Sequence, residues 1–179
     1  MKKAFFWALL SVVLAGCATG RHTTPAEINS PETSLLFGYM DMTDAPSPID
    51  DFNMKVVPTY DSYYYFEVEK GLFYHAAVPP GTYQLNEFSG TSTYLLFFHN
   101  LHRYSFLNPD AQFKIAKPDL YFLGSFKYLK DKDTFKLTRI QAPTEAELLR
   151  LLLPKVKGTK WETVVVNRLG TLGVSSPGN

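Results

Sequence analysis

The sequence predicts a mainly β protein: an antiparallel β-sandwich of about seven to nine strands with two short C-terminal α-helices packed on it. Three observations carry this. Aromatic residues are abundant, with 14 Phe, 11 Tyr and 2 Trp, and aromatic side chains fit a pleated, half-buried surface. From Thr33 onward apolar residues recur with period two, between turn-forming residues at regular spacing. Beyond residue 141 the apolar spacing becomes that of a helix.

Taken in order, Leu35, Phe37 and Tyr39 alternate with Leu36, Gly38 and Met40, which predicts a strand apolar on both faces. Residues 54–57 form a second candidate strand. Tyr64, Phe66 and Val68 alternate with Tyr63, Tyr65 and Glu67 as one strand, and Glu69-Lys70-Gly71 turns it into residues 72–76, a hairpin. Tyr83 and Leu85 point away from Thr82, Gln84 and Asn86. Ser89-Gly90 reads as a turn leading into residues 94–99, an apolar run expected to be buried. Phe113 and Ile115 alternate with Gln112 and Lys114. Leu120, Phe122, Phe126 and Tyr128 are expected on one strand face, with Gly124 marking a bulge. Asp131-Lys132-Asp133 then turns into Phe135 and Leu137.

Thr144 and Glu147 form a capping box, a hydroxyl and a carboxylate that satisfy the orphan amides of a helix start. Leu148, Leu149, Leu152 and Leu153 then build one sticky face. A second box at Thr159 and Glu162 opens a helix carrying Trp161, Val164, Val165 and Leu169.

The N-terminus has a different character. Lys2 and Lys3 precede an apolar run over residues 4–13 that includes Phe5, Phe6, Trp7, Leu9 and Leu10. About ten residues fall short of the roughly 20 that a spanning helix needs, and the flanks suit a secretory signal. The next four residues, Leu14-Ala15-Gly16-Cys17, resemble the lipobox of bacterial lipoproteins. That resemblance implies a diacylglyceryl thioether on Cys17, cleavage before it and a further acyl chain on the new amino terminus. A cysteine thiolate is a good nucleophile for the thioether step. Ala18, rather than Asp, implies sorting to the outer membrane in a Gram-negative host, facing the periplasm. Cys17 is the only cysteine, so no internal disulfide forms.

The expected organisation is therefore a signal peptide over 1–16, a flexible tether over 17–32, a sandwich over 33–141, the helical segment over 142–174 and a frayed tail over 175–179. A second resemblance lies in the sandwich. "AVPPGTYQL" is similar to the Pro-Gly-x-Tyr signature of carboxypeptidase-regulatory-like and transthyretin-like β-sandwich domains. It implies that Pro80 sets the turn, Gly81 accepts a positive φ and Tyr83 packs inside with its hydroxyl on backbone. Such sandwiches host many functions, so this resemblance concerns fold alone.

Charge is balanced, 18 basic residues against 17 acidic, and no basic stripe speaks for nucleic acid. His99-Asn100-Leu101-His102 has metal-like spacing, but on a strand these histidines face opposite sides, so no metal is expected. Asp41, Asp44, Asp50 and Asp51 lack calcium-loop spacing and read as a solvated loop. No phosphate-cradling glycine loop or nucleophile elbow occurs, and neither cofactor nor catalytic residue is expected. Tyr60, Tyr63 and Tyr65 stand out as a possible binding surface for an envelope protein or a glycan, with packing against the helices as the alternative. The function that follows is a membrane-anchored, non-catalytic binding or scaffolding module of the cell envelope. A small-ligand or lipid carrier would instead need an apolar cavity, with Phe97, Phe98, Phe122 and Phe126 as its expected lining. An envelope hydrolase would need His75, His99 or His102 to converge with acidic groups.

Overall fold

The alternating apolar stretches fold into strands whose two faces feed two separate cores. The computed structural model describes residues 23–94, 98–106, 111–131 and 134–173. The segment expected to be a signal peptide (1–16), Cys17 and the expected tail over 175–179 lie outside the described residues. In chain order the elements are α1 (Pro25–Asn29), β1 (Ser34–Asp41), β2 (Asp51–Val56), β3 (Tyr63–Tyr65), β4 (Glu67–Glu69), β5 (Leu72–Val78), β6 (Gly81–Tyr94), β7 (Phe98–Ser105), β8 (Gln112–Ile115), β9 (Leu120–Asp131), β10 (Thr134–Arg139), α2 (Glu145–Leu152), a 3-10 turn (Leu153–Lys155) and α3 (Lys160–Thr171). One sheet has the order β10-β9-β1-β5-β4; the other has β3-β2-β6-β7, with β8 also on β6.

β1 lies at the centre of the first sheet and is apolar on both sides for that reason. Leu35 and Phe37 join Leu72 and Tyr74 under the helices, packed against Leu148, Leu149, Leu152, Trp161, Val165 and Leu169. Leu36 and Met40 face the other way, where Phe73 and Val78 meet Phe52, Met54, Tyr83 and Phe88 of the second sheet. Both expected C-terminal helices form. Thr144 accepts from the Glu147 amide while Glu147 accepts from the Thr144 amide at 2.7 Å. Trp161 Nε1 donates to Ala76 O at 2.8 Å, pinning α3 to β5.

Several expectations are corrected. The first sheet is mixed rather than antiparallel throughout, because β1 pairs antiparallel with β5 but parallel with β9. The chain between β1 and β9 passes through the whole second sheet, so no tight turn forces antiparallel return. The strand expected across Tyr64, Phe66 and Val68 breaks at Phe66: β3 pairs with β2 and β4 with β5, in different sheets. Ser89-Gly90 is no turn but the middle of β6, with Pro48 crossing so close that a Cβ on Gly90 would lie 1.8 Å from its carbonyl oxygen. The run over 94–99 is not one strand either. Tyr94 ends β6 and Phe98 begins β7, and the two pair antiparallel; residues 95–97 lie outside the described residues.

The bulge at Gly124 does form, with the register slipping between Phe37/Phe122 and Gly38/Gly124. One extra residue exchanges the faces of a strand. Leu120 therefore packs on the helix side, where Phe122 stacks on Phe37 at 5.3 Å, whereas Tyr128 faces the second sheet. The four residues expected on one face are split between two cores.

The tether expectation over 17–32 also changes. Thr24-Pro25-Ala26-Glu27 is itself a capping box with proline at the first helical position. It starts α1, whose Ile28 packs into the helical core. Lys160 fastens this segment, its amide donating to Asn29 Oδ1 at 2.8 Å and its ammonium to the carbonyls of Ser30 and Thr33.

Candidate functional site

The site is built where the two sheets part company at one edge. β6 is long enough to pair with two strands in succession, β8 against residues 81–84 and β7 against residues 87–94. The edge facing them from the first sheet is β9 with β10. Between these elements lies a cavity of about 1010 Å³, at the upper end for sites that enclose small organic ligands. Met40, Phe52, Phe73 and Tyr128 floor it and are buried; Leu85, Tyr104, Phe106, Phe113, Leu123, Phe126, Phe135 and Leu137 form its walls.

The walls hold together through ring contacts. Phe135 meets Phe88 at 5.2 Å and Tyr104 at 5.3 Å, both edge-on, the favoured geometry for aromatic quadrupoles. Burial and a hydrogen bond with Tyr128 push the Tyr104 hydroxyl up to about 12, so it stays neutral. Formal charge at the cavity comes instead from Arg103, Lys130, Lys136 and Arg139, and among the described residues no Asp or Glu lines it. Arg139 is the best placed of them. Its guanidinium lies 5.3 Å from the centre of the Phe126 ring and its Nη2 donates to Leu123 O at 3.4 Å. Gly124, at φ +119°, leaves this berth open: a Cβ there would sit 3.1 Å from Arg139 Nη1.

Of the expected cavity residues, Phe126 alone is placed on the wall. Phe122 lies on the opposite face of the sheet, 36 % exposed. Phe97 and the side chain of Phe98 fall outside the described residues. Arg139 and Lys130 were not singled out by sequence reasoning, yet a signal was there. Arg139 is in phase with Phe135 and Leu137, and Lys130 is in phase with Phe126 and Tyr128. A cation in the inward phase of an amphipathic strand is a candidate for meeting something inside.

The other candidates are dispersed. Tyr60, Tyr63 and Tyr65 are 44 %, 47 % and 49 % exposed; Tyr63 and Tyr65 point out from the edge strand β3, and the Lys55 ammonium lies over the Tyr60 ring at 4.8 Å. The helices cover the other sheet, so they do not pack on these rings. His75 sits between the sheets edge-on to Tyr64, its Nδ1 accepting from the Ala77 amide at 3.1 Å, and burial lowers its pKa to about 4. His99 and His102 lie on β7, contacting Thr93 at 3.3 Å and Ser92 at 2.8 Å respectively. The three histidines do not converge. Asp44 pairs with Lys127 at 2.8 Å, Asp50 accepts from the Thr91 amide, and hydrogen bonds from Thr43 hold the Asp41 carboxyl below the usual range. Among the described residues no three His, Cys, Asp or Glu side chains gather as a metal site would require.

The signature turn places Tyr83 as expected, whereas Gly81 differs from expectation. Tyr83 is buried between Phe113 and Tyr64, and its hydroxyl donates to Pro79 O at 2.7 Å. Pro80 lies in the link from β5 to β6, which carries the chain from one sheet to the other. Gly81 does not take a positive φ. A Cβ there would stand 3.1 Å from the Tyr83 hydroxyl, so a larger residue would press on that ring.

Comparison with protein-family models, with curated proteins and with solved structures finds no match for this chain.

Proposed function

We propose that this chain is a cell-envelope lipoprotein, anchored through lipid on Cys17 and facing the periplasm from the outer membrane. Its mainly β domain, read as a sandwich of the carboxypeptidase-regulatory-like and transthyretin-like kind, acts as a non-catalytic binding module. Its ligand is a small apolar molecule held in the inter-sheet cavity. The carrying observation is that cavity: about 1010 Å³ of space walled by aromatic and aliphatic side chains in a protein that packs its other core tightly.

The anchor suits the geometry. Thr24 caps the first helix, and the seven residue steps from Cys17 span at most about 25 Å. The cavity is therefore kept within reach of the membrane surface, where apolar ligands are found. Several acyl chains, each methylene contributing about 0.8 kcal/mol, hold such a protein permanently.

Two measurements test the reading. Cys17→Ala moves the protein from the membrane fraction to the soluble one; retention in the membrane fraction contradicts the anchor. The neutral fluorophore N-phenyl-1-naphthylamine binds the unlipidated full chain, and Leu137→Trp, which narrows the cavity, weakens that binding. Equal binding by both proteins contradicts the cavity reading. A second reading, capture of an envelope protein or glycan, is favoured by the row of half-exposed tyrosines on β3.

A further inference from the structure

Balance elsewhere makes the cavity's charge informative. The chain carries 18 basic and 17 acidic residues, yet among the described residues the lining holds four basic residues and no acidic one. Arg139 and Lys130 are in the inward phase of their strands, and Lys136 and Arg103 in the outward phase. Among the described residues, Arg103, Lys130, Lys136 and Arg139 make no ion pair with a carboxylate. All four are exposed, so their charge stands at the rim of the cavity, where a ligand's polar end would meet both water and protein.

Arg139 differs from a free surface arginine in being held. One nitrogen is spent on Leu123 O, the plane rests over Phe126, and Gly124 provides the recess beside it. A guanidinium so placed keeps other N–H donors in a fixed fork, the arrangement that recognises a carboxylate or phosphate. Behind it lies apolar wall. An apolar space with one oriented fork and surrounding positive field is complementary to a molecule with a long apolar part and a negative end.

We propose that the cavity takes a single-chain amphiphile with an anionic head group, the chain lying among Phe52, Leu85, Phe113 and Phe135 and the head on Arg139. This rests on the cavity reading above and specifies its ligand. Lys130, Lys136 and Arg103 attract the head without fixing its position.

The test uses the unlipidated full chain (Cys17→Ser) loaded with neutral N-phenyl-1-naphthylamine, and competitors of one chain length. These are a fatty carboxylate, a lysophosphatidate, the corresponding fatty alcohol and an alkyltrimethylammonium ion. The carboxylate or the lysophosphatidate should displace the fluorophore at about tenfold lower concentration than the alcohol, and the cation should be the weakest. Which of the two anions is stronger assigns the head as carboxylate or phosphate. Arg139→Gln should erase the preference for anions, read as the ratio of the displacing concentrations of alcohol and anion on that variant. Arg139→Lys, which keeps the charge but loses the fork, should retain part of it. If the fluorophore binds but alcohol and anions compete equally, or Arg139→Gln leaves the preference intact, this proposal falls while the cavity reading stands. If the fluorophore does not bind, the cavity reading itself fails.

Discussion

The two faces of the β10-β9-β1-β5-β4 sheet have been used in opposite ways. Its helix side is closed by leucines and a tryptophan from two capped helices, with Leu148, Leu149, Leu152, Val165 and Leu169 at zero exposure. Its other side meets the second sheet through aromatic rings, and at the β9-β10 edge that interface opens into a cavity. Aliphatic side chains on two helices slide and rotate to close a layer, because each helix is free to settle onto the sheet. Two sheets covalently linked at Pro80 and Phe66 cannot adjust edge by edge, and rigid rings leave space where they diverge. The comparison separates a layer that supplies stability from one that spends some of it on a site.

The sharpest way to break this comparison is to injure the helical layer. Trp161→Ala removes a buried indole and its hydrogen bond to Ala76, at an expected cost of about 4 kcal/mol. A urea titration of the unlipidated full chain measures it; a loss below about 1 kcal/mol would show that the helices are an accessory rather than a structural layer. Next comes acid. The His75 imidazole between the sheets is held neutral, its pKa lowered by burial from 6.5 to about 4. Its stabilising contribution is complete above pH 6.5, where folded and unfolded chains alike leave it unprotonated. Below that the unfolded chain takes up the proton first, so stability declines by roughly 3 kcal/mol as pH falls from 6.5 to 4. His75→Phe should flatten that part of the stability curve; an unchanged slope assigns it to other groups. The smallest effect is expected at the cavity. Leu137→Ala enlarges a space that is already open, so it should cost about 1 kcal/mol, well below the range for a filled core. A cost equal to that of Trp161→Ala would mean that the space closes in solution.

Much of the fold was legible because its signals are local. The capping box at Thr144 and Glu147, the hairpin at Lys70-Gly71 and the double apolar phase of β1 each lie within a dozen residues. The second expected box is only a Thr159 cap, because Glu162 accepts from the Gly158 amide instead. α1 was equally legible in Thr24-Pro25-Ala26-Glu27, but the surrounding prolines and polar residues favoured reading a tether. The errors cluster where the chain changes sheet or phase. Nothing in Tyr64-Tyr65-Phe66-Glu67 states that its halves belong to different sheets. Gly90 looks like a turn residue because glycine serves equally under a crossing carbonyl. At the candidate site, Phe126 could be named from its chemistry, whereas Phe122, of the same chemistry and nominal phase, was moved to the opposite face by one bulged residue.

The sequence by itself determined that the chain is mainly β, that two helices end the described part and that the central strand is buried on both sides. Those properties follow from side-chain period and capping, which act over one or two turns. Tertiary structure alone decided the parallel pairing of β1 with β9, the assignment of strands to sheets and the meeting of Arg139 with Phe126 and Gly124. Each depends on residues far apart in the chain reaching one place, and period-two alternation says which face a residue takes but not what that face will meet.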